Sequence, residues 1–178
     1  GHVLELLAEV DFGSRGKAAG ALAQEDLVHV QLEDLVLGQV LLDLPGDHFL
    51  RTMAEFIQAQ LLPRGLISAS DLSLYRVCET TGDAVKEIID FYKVFHSVRF
   101  VGKYLIIRMN HQISGSDLEA LNSEFGHLCK QGGFEMCEPT SQEIQSADNL
   151  DKARLKFEFV RNDLGGLRDV INRINQAG

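Results

Sequence analysis

The hydrophobic pattern is most regular in the middle of the chain. Residues 40–44 form a short, largely apolar run that stops at Pro45-Gly46, which is typical of a strand buried on both faces. Residues 50–62 follow, and their apolar side chains recur at the spacing of one helical face. Pro63 and Gly65 predict the end of this helix, because proline breaks a helix and glycine readily adopts the left-handed cap conformation.

A second strand and a second helix are predicted directly afterwards. Residues 72–77 are expected to form a short strand or an extended arm, and Thr80 or Thr81 can cap a helix over residues 83–92. Strand, helix, strand and helix in this order are typical of a parallel sheet with helices on its faces. We therefore interpret residues 40–95 as the end of a Rossmann-like, doubly wound parallel sheet.

Residues 96–178 predict a separate small α+β unit. Apolar and polar residues alternate in its strands, so two helices are expected to cover one face of the sheet, whereas the other face meets solvent or a partner. Ser116 and Glu119 are predicted to form a capping box, and the polar residues 142–151 a loop. The expected elements are a strand at 100–109, a helix at 118–129, a short strand at 134–136, a strand at 155–160 and a helix at 167–174. The predicted fold class is α/β, with this β-α-β-β-α (α+β) unit after the parallel sheet.

The first 39 residues are left unassigned. Val28, Val30 and Leu32 alternate as in a strand, but no element is assigned before Val40. The chain starts with Gly1-His2-Val3, without an initiator methionine and without the charged and apolar regions of a signal peptide. We therefore expect a processed protein, a cloned fragment or an incomplete gene model.

Composition restricts the classes of function. With 178 residues, 45% of them hydrophobic, the chain can bury the core of one domain or of two small ones. Its formal net charge of -9 argues against binding to duplex DNA, which needs clustered lysine and arginine. No apolar run reaches the roughly 18–20 residues of a membrane span, so we expect a cytoplasmic protein that binds neither nucleic acid nor a membrane. Three widely separated cysteines without a C-x-x-C pair predict reduced thiols.

The best polar cluster follows the second predicted helix. Tyr92 and His96 are four residues apart and share a face if the helix continues, and Arg99 follows three residues later. Imidazole and guanidinium groups together can hold a phosphate or a carboxylate, so these three residues are a candidate anion-binding site. The alternative, which we favour, is that they join the Rossmann-like part to the C-terminal unit through hydrogen bonds.

The other candidate residues favour structural interpretations. The carboxylates at 25–26 and 33–34 are expected on a solvated face, and Gly132-Gly133 and Gly165-Gly166 are interpreted as turns rather than phosphate loops. We assign no catalytic residue, no cofactor-binding residue, no metal ligand and no cofactor. The scattered histidines, which lack the spacing of metal ligands, are His29, His48, His111 and His127.

Several short sequence motifs, called words below, between residues 40 and 175 resemble the longer, bacterial-type branch of the Lonely Guy (LOG) family, formerly called lysine decarboxylases. Each motif is short, and the resemblance rests on the order and spacing of the motifs. The words are Leu42-Asp43-Leu44-Pro45-Gly46, Arg64-Gly65-Leu66-Ile67-Ser68, Asp71-Leu72-Ser73-Leu74-Tyr75, Phe91-Tyr92-Lys93-Val94-Phe95-His96-Ser97-Val98-Arg99-Phe100-Val101-Gly102, Leu105-Ile106-Ile107-Arg108, Leu121-Asn122-Ser123-Glu124-Phe125 and Leu164-Gly165-Gly166-Leu167-Arg168.

The resemblance implies a cytosolic, Rossmann-like, commonly dimeric protein that hydrolyses the N-glycosidic bond of a nucleoside 5'-monophosphate. In that family the chemistry depends on a P-G-G-x-G-T-x-x-E motif, whose backbone amides hold phosphate at a helix N-terminus and whose glutamate assists bond cleavage. That motif is absent here, and Pro45-Gly46 is the only Pro-Gly pair.

Two hypotheses follow from the resemblance and the missing motif. The chain is either the C-terminal portion of a LOG-like nucleotide phosphoribohydrolase, inactive by itself, or a non-catalytic module for oligomerisation or ligand sensing. A homo-oligomer is expected in both cases.

Overall fold

The computed structural model describes residues 39–42 and 48–177. They form a mixed α/β structure with a two-stranded parallel sheet and a four-stranded antiparallel sheet. The strands are β1 (Gln39–Leu42), β2 (Tyr75–Cys78), β3 (Phe95–Val101), β4 (Tyr104–Met109), β5 (Glu135–Cys137) and β6 (Ala153–Phe157). The helices are α1 (Phe49–Phe56), α2 (Thr81–Phe91), α3 (Gly115–Phe125), α4 (Ser141–Ser146) and α5 (Leu164–Gln176). Among these described helices, none has the length and apolar character needed to cross a membrane.

Strands β1 and β2 pair in parallel, with Val40 opposite Arg76, and α1 connects them. The helix continues through a π-helical turn (Ile57–Leu61) and a 3₁₀ turn (Leu62–Arg64) and ends at Gly65, whose φ of 66° is left-handed. The predicted strand, helix and glycine cap are confirmed. The described residues contain two parallel strands, so the larger doubly wound sheet stays a prediction.

The second strand of the parallel sheet begins later than its sequence predicts. A 3₁₀ turn (Ser70–Leu74) occupies the first part of the predicted 72–77 strand, and β2 starts at Tyr75. Thr80 caps α2, as predicted, because its hydroxyl accepts a hydrogen bond from the Asp83 backbone N–H at 3.1 Å.

The predicted strand at 100–109 is instead a β-hairpin. Strands β3 and β4 pair in antiparallel fashion around Gly102, whose φ is 60°. The register shifts between Phe95 and Ser97, so His96 is an extra residue in a β-bulge. The bulge interrupts the two-residue alternation of β3, which is why the hydrophobic pattern does not reveal this strand.

The four-stranded sheet has the order β3-β4-β6-β5, and all neighbouring strands are antiparallel. Helices α3 and α5 cover one face, as predicted. The element order is β-β-α-β-α-β-α, in place of the predicted β-α-β-β-α. The side chains buried at this face include Leu105, Ile107, Leu155 and Phe157 from the strands and Leu121, Leu167, Val170 and Ile174 from the helices.

Two helix starts differ from the sequence prediction. Ser114, rather than Ser116, caps α3 by accepting a hydrogen bond from the Asp117 backbone N–H at 3.1 Å. The residues predicted as a polar loop contain α4, where Thr140 and Glu143 form a capping box. The six residues of α4 have no apolar stripe, so their sequence shows no helical period. Helix α4 lies on the second face of the sheet, which the prediction assigned to solvent or a partner.

Helix α5 packs closely against the turn formed by Ser70–Leu74. A side-chain carbon at Gly165 would lie 2.2 Å from the carbonyl carbon and oxygen of Ser70, so glycine is required at this contact. Asp163 caps the helix, because its Oδ1 accepts hydrogen bonds from the Gly166 N–H at 2.7 Å and from the Ser70 hydroxyl at 3.1 Å. The pair Gly165-Gly166 therefore lies in the first turn of a helix, and its prediction as a turn between elements is wrong.

The other end of α5 holds the junction between α2 and β3. The Asn175 Oδ1 accepts hydrogen bonds from the backbone N–H groups of Val94 and Phe95, each at 2.9 Å, and its Nδ2 donates to the Phe91 carbonyl at 2.6 Å. Between the two ends, the Arg168 guanidinium lies 4.2 Å from the centroid of the Phe91 ring. Helix α5 therefore contacts both the parallel part and the antiparallel sheet.

Replacing Gly165 with alanine is expected to lower the free energy of unfolding by about 1–3 kcal/mol, because the new methyl group collides with backbone that has little room to move. Urea or thermal unfolding measures the change. Gly115→Ala is the matched control, since Gly115 also lies in the first turn of a helix but nothing lies within 4 Å of its added carbon. An equal loss of stability in both variants would contradict the close-contact explanation.

Candidate functional site

Charged side chains line the second face of the four-stranded sheet. Side chains alternate along a strand, so the neighbours of the core residues in β3, β4 and β6 lie on this face. Arg108 and Arg154 are directly opposite each other, and such a like-charge pair is destabilising unless a negative group lies between them. Together with Arg99, Glu143 and Asp148 they form what we call the charged cluster.

Glu143 of α4 supplies the negative group between the two arginines. Its Oε1 accepts hydrogen bonds from the Nε and Nη2 of Arg108, at 2.9 and 2.7 Å, and from the Arg154 Nε at 3.2 Å. Its Oε2 accepts from the backbone N–H and the hydroxyl of Thr140, both at 2.9 Å. The Arg108, Glu143 and Arg154 side chains are 4%, 0% and 0% exposed. This carboxylate therefore gives both buried guanidinium groups a hydrogen-bonded counter-charge, without which their burial is strongly unfavourable.

The same contacts determine the ionisation of the two carboxyl groups. Burial by itself raises the pKa of Glu143, but hydrogen bonds from Thr140 and Arg108 outweigh burial and lower the pKa from 4.5 to about 2. Burial also raises the pKa of Asp148, and the guanidinium groups of Arg108 and Arg99 lower it below its ordinary value of 3.8. Both carboxylates are therefore ionised at neutral pH.

Arg154 and Asp148 position the loop that follows α4. Arg154 donates hydrogen bonds to the carbonyl oxygens of Asp148 and Lys152, at 3.2 and 2.5 Å. The Asp148 Oδ2 accepts from Arg108 and from Arg99, both at 2.7 Å. Side chains of the sheet thus hold this loop in place, and the loop carries Lys152 to the edge of the charged cluster.

The structure places Tyr92 apart from the other two predicted site residues. Helix α2 ends at Phe91, so Tyr92 and His96 do not share a helical face. The Tyr92 ring packs against the rings of Phe91 and Phe95, with centroid separations of 5.0 and 6.0 Å. Tyr92 is therefore part of an aromatic group at the junction between α2 and β3.

Arg99 belongs to the charged cluster, and His96 lies beside it. The Arg99 Nη1 donates to the Asp148 carboxylate at 2.7 Å, so this ion pair lies within the antiparallel unit and does not reach the parallel part. The His96 Nδ1 is 2.9 Å from the Ser97 hydroxyl. Anion binding by these residues stays a prediction at this point.

The electrostatic environment of His96 is positive. Burial lowers the pKa of the His96 imidazole from its ordinary value of 6.5, and the charges of Lys152 and Arg108 lower it further. Asp151 and Asp148 act in the opposite direction and are outweighed. His96 is therefore neutral at pH 7, next to cations that are only partly compensated.

Two shallow cavities in the described part of the chain lie away from the charged cluster. One, of about 430 Å³, lies beside β2 and α2. Its cations are paired with carboxylates, in Lys86–Asp90 and in Arg76–Glu87. Its lining carries four carboxylates and only these two cations, so it offers little attraction to a phosphate. The other has a volume of about 140 Å³ and lies beside Tyr104. Its lysines, Lys103 and Lys156, are likewise paired with Glu158 and Glu135.

Metal and thiol chemistry have little support in the described residues. Residues 39–42 and 48–177 contain no group of three or more histidine, cysteine, aspartate or glutamate side chains that could hold a metal ion. The thiols of Cys78, Cys129 and Cys137 are free, and burial raises the pKa of each, which disfavours the nucleophilic thiolate. His29 and the carboxylates at 25–26 and 33–34 lie outside the described residues.

No protein-family model, no curated protein and no solved structure matches the chain.

Four members of the charged cluster are not among the site residues predicted from the sequence. The two buried arginines leave a signal, because Arg108 interrupts the apolar run 105–109 and Arg154 directly precedes the apolar Leu155, and arginine is almost never fully buried unless it is paired. Glu143 and Asp148 leave no such signal, since they belong to a polar stretch that looks like an exposed loop.

The free energy of unfolding is expected to fall as the pH is lowered from 4.5 towards 2. A carboxyl group with a folded pKa below its unfolded value stabilises the fold above the unfolded pKa, and this contribution is lost as the pH falls through the folded pKa. For Glu143 the difference between 4.5 and about 2 corresponds to about 3 kcal/mol. Asp148 adds a contribution of the same sign. Urea unfolding at a series of pH values measures the effect.

Glu143→Gln is expected to remove most of this pH dependence. It is also expected to lower the stability at neutral pH by about 3–5 kcal/mol, because two buried guanidinium groups lose their counter-charge. Glu119→Gln, an exposed position on α3, is the matched control and should retain both properties. The same acid dependence in Glu143→Gln and in the unchanged chain would show that another group is responsible.

Proposed function

We propose that the chain is the C-terminal portion of a LOG-like nucleoside 5'-monophosphate phosphoribohydrolase and that it does not carry the catalytic motif itself. The sequence words given above support the assignment, and the β1-α1-β2-α2 order with parallel pairing is the order expected at the end of a Rossmann-like sheet. A nucleoside monophosphate as ligand and a cytoplasmic location follow from the same proposal.

The distribution of the core is the observation that carries this proposal. Strands of a doubly wound sheet are normally buried on both faces. In the described part of β1 and α1, however, no side chain is buried, and Val40 and Leu41 are partly exposed. Among the residues that the structure describes, Cys78 is the only buried apolar residue that precedes Phe91. This distribution supports the proposal that the parallel part is one edge of a larger sheet, whereas the core of the described residues is built mainly on the antiparallel sheet.

The missing motif limits what this polypeptide can do by itself. Glycosidic cleavage requires a positioned acid or carboxylate and a site that holds the 5'-phosphate. The P-G-G-x-G-T-x-x-E motif that does both in the family is absent from the 178 residues. The N-terminus of α5 does not replace it, because the Asp163 carboxylate already occupies that helix end.

The alternative function is a non-catalytic module for oligomerisation or ligand sensing. One observation favours it: Phe49, Met53 and Phe56 form a stripe along α1, with 66%, 36% and 55% of their surfaces exposed. Helix positions three and four apart lie on one face, and an exposed apolar stripe of this kind is typical of an interaction surface.

The 178-residue chain is not expected to release ribose 5-phosphate from AMP in a coupled assay, because the phosphate-binding motif and its glutamate are absent. The same chain extended by the upstream sequence of its gene, read in frame, is expected to contain the motif and to hydrolyse AMP. Replacing the motif glutamate with glutamine in the extended protein is the matched control and should abolish the release. Hydrolysis by the short chain, or an extended protein without the motif, would contradict the proposal.

The chain is expected to self-associate at micromolar concentration, because the apolar stripe on α1 and the edges of the two-stranded sheet favour contact with a second copy. Light scattering or sedimentation measures the molar mass. Phe56→Ser is expected to shift the equilibrium towards the monomer. Ile144→Ser on α4, a position of similar exposure at 57%, is the control and should leave it unchanged. A monomer in the unchanged chain would contradict this expectation.

A further inference from the structure

The charged cluster contains more positive than negative side chains. The guanidinium groups of Arg99, Arg108 and Arg154 share the carboxylates of Glu143 and Asp148. Arg108 and Arg154 are buried. Their guanidinium groups already donate hydrogen bonds to these carboxylates and, in Arg154, to backbone carbonyls. The uncompensated charge is therefore located towards Arg99, which lies at the half-buried edge of the cluster.

Arg99 has hydrogen-bonding capacity to spare. Its side chain is 28% exposed, and Nη1 makes a single bond, to Asp148. Within the described residues its other N–H groups have no acceptor. A guanidinium group presents five donors in a planar fork that matches the oxygens of a phosphate or carboxylate.

Lys152 adds a second cation at the same end of the sheet as His96, because the next residue, Ala153, pairs with Met109, and Met109 pairs with Phe95. Its side chain is 21% exposed, and its nearest carboxylate, that of Asp151 at 3.3 Å, belongs to a side chain that is 75% exposed. The backbone of Lys152 is fixed by the hydrogen bond from the buried Arg154 to its carbonyl oxygen. The Lys152 backbone is therefore anchored next to the cluster, and its ammonium group is paired with a carboxylate that is mostly exposed to solvent.

The bulge in β3 supplies neutral hydrogen-bonding groups at the same place. His96 is the extra residue of the bulge, and its Nδ1 lies 2.9 Å from the Ser97 hydroxyl. Ser97 lies directly opposite Arg108 in the sheet register, and therefore on the charged face. Because these two groups hydrogen-bond to each other, one donor remains for an anion, either the Ser97 O–H or the His96 Nε2–H according to the imidazole tautomer. This donor adds no charge that would require further compensation.

We propose that His96, Ser97, Arg99 and Lys152 form a binding site for a phosphate group at the edge of the charged cluster. The group is either inorganic phosphate or the phosphate of a small phosphorylated molecule. Arg99 and Lys152 provide the charge, the Ser97–His96 pair provides one directed hydrogen bond, and the buried carboxylate of Glu143 holds the framework without reaching the ligand. The site lies in the antiparallel unit and does not depend on the parallel part or on the catalytic motif discussed above.

Titration of the isotope-labelled 178-residue chain with inorganic phosphate, followed by NMR, tests the site. Saturable shifts are expected at His96, Ser97 and Arg99. The pKa of His96 is expected to rise when phosphate binds, because the anion offsets the charges of Lys152 and Arg108, which now outweigh those of Asp151 and Asp148. The exposed histidines His48, His111 and His127 serve as internal controls and should not shift.

Lys152→Gln is the decisive variant. It removes one cation but leaves the Arg99–Asp148 pair and the buried arginines intact, so the fold should be preserved. It is expected to weaken phosphate binding roughly tenfold or more, which is the scale of one charge-assisted hydrogen bond. Lys130→Gln, an exposed lysine away from the cluster, removes the same charge and should have no effect. Arg99→Gln should weaken binding as well, with its folding checked by circular dichroism.

Two further titrations identify the source of the phosphate group. AMP that shifts the same residues at lower concentration than inorganic phosphate, while adenosine does not, assigns the site to a phosphorylated ligand. Binding of inorganic phosphate alone assigns it to the free ion. The proposal is overturned if no saturable shift occurs at His96 and Arg99, or if Lys130→Gln weakens binding as much as Lys152→Gln. Either result would mean that phosphate interacts only with the general charge of the surface.

Discussion

The contact between α5 and the Ser70–Leu74 turn determines how the two sheets are joined. Glycine at position 165 lets the helix backbone come so close to Ser70 that a methyl group would not fit, and the Asp163 carboxylate connects the helix end to the Ser70 hydroxyl. At its other end, the Asn175 side chain forms hydrogen bonds with the backbone groups that connect α2 to β3. Helix α5 thereby packs on the core of the antiparallel sheet. It also holds both ends of the segment that runs from the Ser70–Leu74 turn to the start of β3.

The two faces of the antiparallel sheet are stabilised by different physical effects. On the first face, α3 and α5 remove apolar side chains from water, which is favourable without any specific geometry. On the second face, Arg108 and Arg154 oppose each other, and the arrangement is stable because Glu143 binds both. A short polar helix such as α4 would have little reason to remain on a sheet otherwise, since Ile144 is exposed and the helix buries only Glu143.

The sequence predicts the elements whose apolar side chains recur with one regular spacing. It does not predict the elements in which this spacing is interrupted, or those that are held in place by polar contacts. The helices at α1, α2, α3 and α5 have clear apolar stripes and were expected. Strand β3 was missed because the extra residue His96 disrupts its alternation, and α4 was missed because it is held by an ion pair. Gly165-Gly166 is a different failure: glycine before a helix suggests a phosphate loop or a turn, whereas here it permits close packing.

Some residues of the candidate site can be selected from the sequence, whereas others are brought to it only by the fold. His96 and Arg99 could be selected as a pair from their chemistry, but Tyr92 belongs to the aromatic junction, and Lys152 reaches the site from a loop more than fifty residues away in the chain. That loop is positioned by Arg154, which in turn is buried only because Glu143 neutralises it. The charge at the edge of the cluster is therefore a consequence of the buried ion pairs. This sheet face buries two arginines with one glutamate and shares Asp148 between Arg108 and Arg99. It is therefore left with positive charge at Arg99, whose side chain is partly exposed.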